Sequence, residues 1–233
     1  MTGAAWATLG AAGALAAADW VAVATGRKRV EYVCKPAVVL LLAACAVSLD
    51  PVDGLRRAYV VTGLTLSLAG DVLLMLPEPP RADPRLQRRP QEPQVERRID
   101  LFPLGLAAFL LAHLNYIAAF RTGGTGIASI GLAALIVLPV AVPLGTIVVR
   151  ALVAKGETAL RVPVIAYMGV LGAMVAAAIA GGNLLAAAGA WLFLASDATL
   201  AWDRFVKPIR WAPAAVAVSY HLAQGLITVS LVR

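Results

Sequence analysis

Charged residues are scarce in this chain of 233 residues: 14% are charged, 61% are hydrophobic, and the mean hydropathy is +0.82. A soluble domain of this length could not bury so much apolar surface, so the composition excludes the soluble globular classes and indicates an integral membrane protein. The net charge of +7 would also suit a nucleic-acid-binding protein. However, most cations lie in short segments between apolar runs, where lipid headgroups and membrane topology account for them. We therefore expect contacts with membrane lipids and no nucleic-acid partner.

Cysteine and histidine are also rare, with two residues of each. Cys34 and Cys45 both lie in apolar runs, which predicts buried, unreactive thiols rather than a disulfide. Two histidines without a cysteine cluster argue against a structural zinc site. The chain also lacks a Gly-x-Ser-x-Gly nucleophile turn, a phosphate-binding loop and a histidine set of haem type. We therefore predict neither a metal nor a cofactor.

Eight apolar segments are long enough to cross a bilayer, which takes about 20 helical residues. They are continuous and rich in Ala and Leu, which favours helices over the alternating strands of a barrel. The predicted fold is all-α, a bundle of eight transmembrane helices in one domain, 1–233, with the first segment a retained helix rather than a signal peptide. The predicted spans are 3–26, 32–49, 58–76, 101–120, 127–149, 162–180, 184–202 and 211–232. Residues 77–100, rich in Pro, Arg and Glu, are predicted to form a flexible loop.

The cations are distributed unevenly between the two sides of the predicted membrane domain. Of the 20 Lys and Arg residues, 15 lie in the connections after helices 1, 3, 5 and 7, and four lie on the other side. Cytoplasmic loops carry the excess of Lys and Arg. The loop at 77–100 is therefore predicted to be cytoplasmic, with both termini outside and the protein in the plasma (inner) membrane.

Two aspartates occur inside apolar helices in the same local frame, Leu-Ala-x-Asp-x-x-Leu. Asp71 lies in helix 3 and Asp197 in helix 7, and each is followed one helix later by a histidine, His113 or His221. An offset of four helices keeps the direction of the chain, so the pattern indicates a parallel repeat of four plus four helices.

The two aspartates are also predicted to lie at the same depth. Each precedes the cytoplasmic end of its helix by five residues, which corresponds to about 8 Å. Tyr167 on helix 6 falls at a similar level. An ionisable group in a bilayer normally faces a partner or a wet cavity, so we predict that both aspartates line one cavity. Structural hydrogen bonds would be the alternative role, and Asp19 and Lys35 are expected to form an ion pair across the first hairpin.

The motifs "CKPAVVLL", "GDVLLM", "FLLAHLNYIAAF", "SDATLA" and "YHLAQGLI" occur in this order along nearly the whole chain. Together they resemble the YhhN family of eight-helix membrane proteins, whose characterised members are lysoplasmalogenases. The family's motif positions fall on Lys35, Pro36, Gly70, Asp71, His113, Tyr116, Ser196, Asp197 and Gln224. One departure is Ala112, where the family pattern has a glycine.

The resemblance implies hydrolysis of the vinyl ether bond of a lysoplasmalogen, a lysophospholipid, to a fatty aldehyde and a glycerophospho-ethanolamine or -choline. The predicted catalytic residues are Asp71, Asp197 and His113. The predicted substrate-binding residues are Lys35, Tyr116, Tyr167, His221 and Gln224, and the cytoplasmic-side arginines are expected to hold the phosphate. A different class stays open, a small proton-coupled transporter or lipid flippase, because buried Asp and His residues also suit a proton relay. The oligomeric state is left open.

Overall fold

The computed structural model describes residues 1–50, 53–76 and 101–232, and in these residues it is a bundle of α-helices without a strand. All eight helices are long and apolar enough to cross a membrane, which confirms the predicted all-α membrane fold. The helices are α1 (Gly3–Ala24), α2 (Lys28–Ser48), α3 (Gly54–Met75), α4 (Phe102–Arg121), α5 (Ile127–Ala154), α6 (Arg161–Ala180), α7 (Leu184–Ala201) and α8 (Ala212–Val229). The loop predicted at 77–100 lies outside the described residues.

Several helices extend beyond their predicted apolar cores. α2 and α3 begin four residues earlier than predicted, and α5 ends five residues later. The added turns carry polar groups that stabilise a helix end: Lys28 and Glu31 pair at 2.8 Å in the first turn of α2, and Asp53 caps α3 by accepting a hydrogen bond from the Leu55 amide. Hydropathy locates the membrane core, whereas these groups continue the helix beyond it.

The helices pack as four antiparallel hairpins, and the contacts between hairpins match the predicted repeat in part. Consecutive helices pair as α1 with α2, α3 with α4, α5 with α6, and α7 with α8. In addition, α4 contacts α6, and α8 contacts α2. In both cases the last helix of one half contacts the second helix of the other half, so the same contact occurs twice. The match is incomplete at the first helix of each half. α1 also packs on α8, whereas the equivalent helix α5 has its extensive contacts with α6 and with the turn after α7. α5 therefore has a larger share of its surface facing away from the bundle than any other of the described helices.

Glycines bring α3 and α4 into close contact beside Asp71. A Cβ atom on Gly70 would lie 2.5 Å from the ring of Phe109, and one on Gly105 would lie 2.7 Å from Leu74. Because atoms cannot approach so closely, only glycine fits these two positions without displacing a side chain. The close contact holds Asp71, the residue after Gly70, in the interior of the bundle.

Candidate active site

A small cavity lies among the helices near the end of the bundle where α3, α5 and α7 terminate, which we call the basic end. Its volume is about 80 Å³, and α2 to α8 all contribute to its wall. Most of the wall is apolar. Its polar residues are Lys35, Asp71, Tyr167, Ser196, Asp197, Arg204 and Tyr220. The structure thus places Asp71 and Asp197 in the wall of one cavity, as the repeated frame predicts.

Asp71 has a cationic partner. Its Oδ1 lies 3.4 Å from Nζ of Lys35 on α2, and its Oδ2 accepts a hydrogen bond of 2.6 Å from the hydroxyl of Tyr220 on α8. The side chain is 3% exposed. A cation and a hydroxyl donor both favour the ionised carboxylate, and they oppose the effect of burial.

The ion pair predicted between Asp19 and Lys35 is wrong. Lys35 and Asp71 both line the cavity, where Lys35 points towards α3 and pairs with Asp71. Asp19 is buried on the α8 side of α1, where its Oδ2 lies 4.0 Å from Nδ1 of His221. Asp19 is therefore paired with His221, and Lys35 is paired with Asp71.

Asp197 has a neutral partner instead. Its Oδ2 accepts a hydrogen bond from the hydroxyl of Tyr167 on α6, and it has no ion pair with any residue that the structure describes. In each half of the chain the helix before the aspartate supplies one partner, Lys35 on α2 or Tyr167 on α6. The repeat thus presents two carboxyl groups in similar positions with different electrostatic surroundings.

His113 lies next to the cavity but does not line it. Its ring packs edge-on against Tyr167, with 5.3 Å between centroids, and against Phe193, with 4.7 Å. Since it is fully buried, its contact with the cavity runs through the ring of Tyr167. In this arrangement His113 can fix the orientation of Tyr167, and the structure does not bring it to the two carboxyl groups.

Three predicted substrate-binding residues also lie away from the cavity wall. The hydroxyl of Tyr116 donates a hydrogen bond of 2.7 Å to Oε1 of Gln224, and both residues are fully buried. His221 faces α1, where its Nδ1 accepts a hydrogen bond of 3.1 Å from Nε1 of Trp20. Of the predicted set, Lys35 and Tyr167 line the cavity, whereas Tyr116, His221 and Gln224 tie helices together beside it.

Three polar residues of the wall were not predicted by name as catalytic or substrate-binding residues. Ser196 was a family motif position, Arg204 was one of the cytoplasmic-side arginines expected to hold the phosphate, and Tyr220 was not predicted. Tyr220 directly precedes His221, so the two side chains point about 100° apart on α8 and only one of them can face the cavity. Arg204 follows Asp197 by seven residues, close to two helical turns, in a π-helical segment, Trp202–Val206. Its guanidinium lies 3.7 Å from the ring centroid of Phe102. The seven-residue spacing was the available signal for Arg204.

Groups of three His, Cys, Asp or Glu side chains close enough to hold a metal ion do not occur in the part of the chain that the structure describes. The ionisable groups in the wall of the cavity are two carboxyl groups, two tyrosine hydroxyls, Lys35 and Arg204.

Comparison with known proteins supports the resemblance found in the motifs. The model of the YhhN family matches residues 30–231. The chain is 39% identical over 132 residues to lysoplasmalogenase TMEM86B of Homo sapiens, covering 57% of this chain and 54% of the human protein. It is 31% identical over 206 residues to lysoplasmalogenase of Mycobacterium bovis, covering 88% of this chain and 71% of that protein. The matched region spans about half the length of the human relative, and no solved structure matches. The family match covers most of the chain and includes both aspartates, and the chain belongs to the YhhN family.

Proposed function

We propose that this protein is a membrane hydrolase that cleaves the vinyl ether bond of a lysoplasmalogen. One observation carries the proposal: two carboxyl groups line one cavity in an apolar setting, and only Asp71 is paired with a cation. Vinyl ether hydrolysis needs a proton donor and an anion, and unequal surroundings let two carboxyl groups divide these tasks. The names of the relatives support the same activity.

Asp197 is assigned as the acid, because a carboxyl group in a mostly apolar wall with only a hydroxyl partner is stable in its neutral form. Its proton moves to the alkene carbon remote from the ether oxygen. The π electrons form the new C–H bond, the O–H bond of Asp197 breaks, and an oxocarbenium ion results. The nearby carboxylate of Asp71, held ionised by Lys35, stabilises this cation.

Water then adds to the cationic carbon while Asp71 accepts one of its protons, which gives a hemiacetal. The hemiacetal hydroxyl next returns a proton to Asp197, and the C–O bond to glycerol breaks. The glycerol oxygen takes the proton from Asp71. The products are an aldehyde and a glycerophospho-ethanolamine or -choline, and both aspartates regain their starting protonation states.

The activity itself is tested by aldehyde release from purified protein in detergent, using an alkenyl lysolipid and its alkyl ether analogue. The alkenyl substrate should yield aldehyde and the alkyl analogue none, because the analogue has no alkene carbon to protonate. In heavy water, one deuterium should appear on the aldehyde carbon next to the carbonyl. A transporter or flippase would release no aldehyde in detergent and would need sealed vesicles to show activity, so that result would favour the alternative class.

Arg204 is placed to bind the phosphate of the substrate. It lies about 10 Å along the helix axis from Asp197, towards the basic end, and it lines the same cavity. We expect Arg204→Gln to lower kcat/KM about tenfold or more for a lysoplasmalogen, since a hydrogen bond to a charged group contributes about 1.5–3 kcal/mol. The same variant should change kcat/KM little for an alkenylglycerol that lacks the phosphate. Arg210→Gln, at an exposed position in the same connection, is the matched control. Equal losses on both substrates would contradict the assignment.

We also propose that the basic end faces the cytoplasm, because 15 of the 20 cations lie on that side. A cysteine introduced at Gln91 should then resist an impermeant thiol reagent in intact cells and react after the cells are opened. The native Cys34 and Cys45 are buried and should contribute little background. Ready labelling at position 91 in intact cells would reverse the orientation.

A further inference from the structure

The polar cavity is too small to hold a whole lysolipid. Its volume of about 80 Å³ is only a few times the roughly 30 Å³ that one water molecule occupies in the liquid. That space suits the reacting bond, a water molecule and part of the glycerol. A long hydrocarbon chain, extended towards the middle of a bilayer core about 30 Å thick, must leave the cavity through its wall.

A second and larger space lies on the outer side of α5 and α6. This groove has a volume of about 810 Å³, and its wall is apolar except for Thr146 and Arg150. The hydroxyl of Thr146 donates to the Val142 carbonyl of its own helix, so it offers no free donor to a ligand. The groove runs along most of α5, within the membrane span.

Met168 separates the groove from the cavity, because it lines both of them. Its Cε lies 3.5 Å from the position that a Cβ atom on Gly145 would occupy, so the side chain reaches across to α5. The neighbouring Leu144 lines the cavity and Gly145 lines the groove. The wall at this level is therefore one flexible side chain thick, and methionine adopts alternative rotamers readily.

We propose that the hydrocarbon chain of the substrate lies in the groove between α5 and α6 and enters the cavity past Met168. This inference rests on the proposed function and adds the path of the chain to it. A further space that adjoins the cavity is a depression of about 90 Å³ at the basic end, which shares Arg204 and Phe102 with it. The guanidinium of Arg204 suits the phosphate of the substrate. The headgroup and the hydrocarbon chain therefore leave the cavity through different walls. Met168 and the groove then determine which chain lengths are accepted.

Filling the groove tests the proposal. A side chain added at Gly169 meets nothing within 4 Å of its Cβ, so Gly169→Phe should fold and occupy the groove. We expect kcat/KM for a long-chain lysoplasmalogen to fall about tenfold or more, by analogy with the cost of a methylene mismatch in an apolar pocket. A short-chain substrate, whose chain ends inside the cavity, should lose less than about twofold on the same scale. Ala173→Phe, at an exposed position in the same groove, should act alike.

Gly13→Phe is the matched control. Gly13 lies on α1, in a groove beside Trp20 on another side of the bundle, and nothing lies within 4 Å of its Cβ position. This variant should keep the chain-length profile of the wild type. If Gly169→Phe lowers the rates for long and short chains equally, or only changes the oligomeric mass in detergent, the groove serves another purpose and the proposal is wrong.

A binding measurement separates this inference from the proposed chemistry. An alkyl ether lysolipid carrying a diazirine at the end of a long chain cannot be hydrolysed but can occupy the same path. On illumination it should label groove residues of α5 and α6 in the wild type, and Gly169→Phe should reduce this labelling. Labelling confined to α4 and α8 would overturn the chain path even if aldehyde release is observed. Labelling of the groove without aldehyde release from the wild type would instead place the failure in the proposed reaction.

Discussion

Replacing either aspartate of the cavity by asparagine should lower the turnover of a lysoplasmalogen about 100-fold or more, since general acid–base catalysis contributes about 10²–10⁴. In the proposed mechanism, Asp197→Asn removes the proton that starts the reaction, and Asp71→Asn removes the anion beside the oxocarbenium ion. Both variants should fold, because asparagine is nearly isosteric with aspartate and avoids the free-energy cost of burying a charge. Aldehyde release from purified protein measures the loss, and the melting temperature in detergent reports folding.

Asp53→Asn is the matched control for this experiment. Asp53 caps α3 at the end of the bundle opposite the cavity, and asparagine is an equally good capping residue. This variant should retain wild-type turnover and stability. Near-normal turnover of either cavity variant would show that its aspartate is structural, and the two-carboxylate mechanism would fail.

Removing the cation beside Asp71 should have the second largest effect. Lys35→Met leaves the Asp71 carboxylate with only the Tyr220 hydroxyl as a partner, so the group should become protonated and cease to act as the anion. We expect turnover to fall about 100-fold, as for Asp71→Asn, since both variants remove the anion. The melting temperature should fall as well, because removing one partner of a buried ion pair costs about 3–5 kcal/mol. Protonation of Asp71 then relieves part of this cost.

The double variant Lys35→Met with Asp71→Asn distinguishes this account from a general packing defect. It contains no unpaired charge at the site, so its melting temperature should exceed that of Lys35→Met alone, while its turnover stays low. If the double variant is less stable than either single variant, the ion pair contributes through packing rather than through charge. A Lys35→Met variant with normal turnover would show that Asp71 does not need its cation.

The number of helices and the common cavity of the two aspartates were predictable, because each follows from a strong constraint. A carboxyl group in hydrocarbon needs a partner, and two of them at equal depth in the same frame indicate a common site. The partner of Lys35 was not predictable, since Asp19 and Asp71 lie on the two helices that flank α2 along the chain. Only the rotation of α2 decides between them. The structure places Lys35 beside Asp71.

The side of α8 that faces the cavity was not predictable for a related reason. Its polar residues Tyr220, His221 and Gln224 face three different neighbours, so no single polar stripe defines which side faces the cavity. The prediction therefore gave weight to His221 rather than to Tyr220. The seven-residue spacing from Asp197 favours Arg204, but the π-helical segment after Ala201 changes the angle between successive side chains and weakens this signal.

The hydrogen bond between Asp71 and Tyr220 joins residues 149 positions apart, whereas Lys35 precedes Asp71 in the chain. At a synthesis rate of about 5–20 residues per second, about 7–30 s pass between the appearance of Asp71 and that of Tyr220. During this interval α3 enters the membrane with a carboxyl group whose insertion costs about 2.5–3.5 kcal/mol, and Lys35 on the preceding helix is already present to neutralise it. Lys35 is thus expected to assist membrane insertion of the protein before it takes part in the proposed reaction. A nascent chain that stops before α8 lacks Tyr220, so we expect the proposed aldehyde production to begin only after α8 has been synthesised.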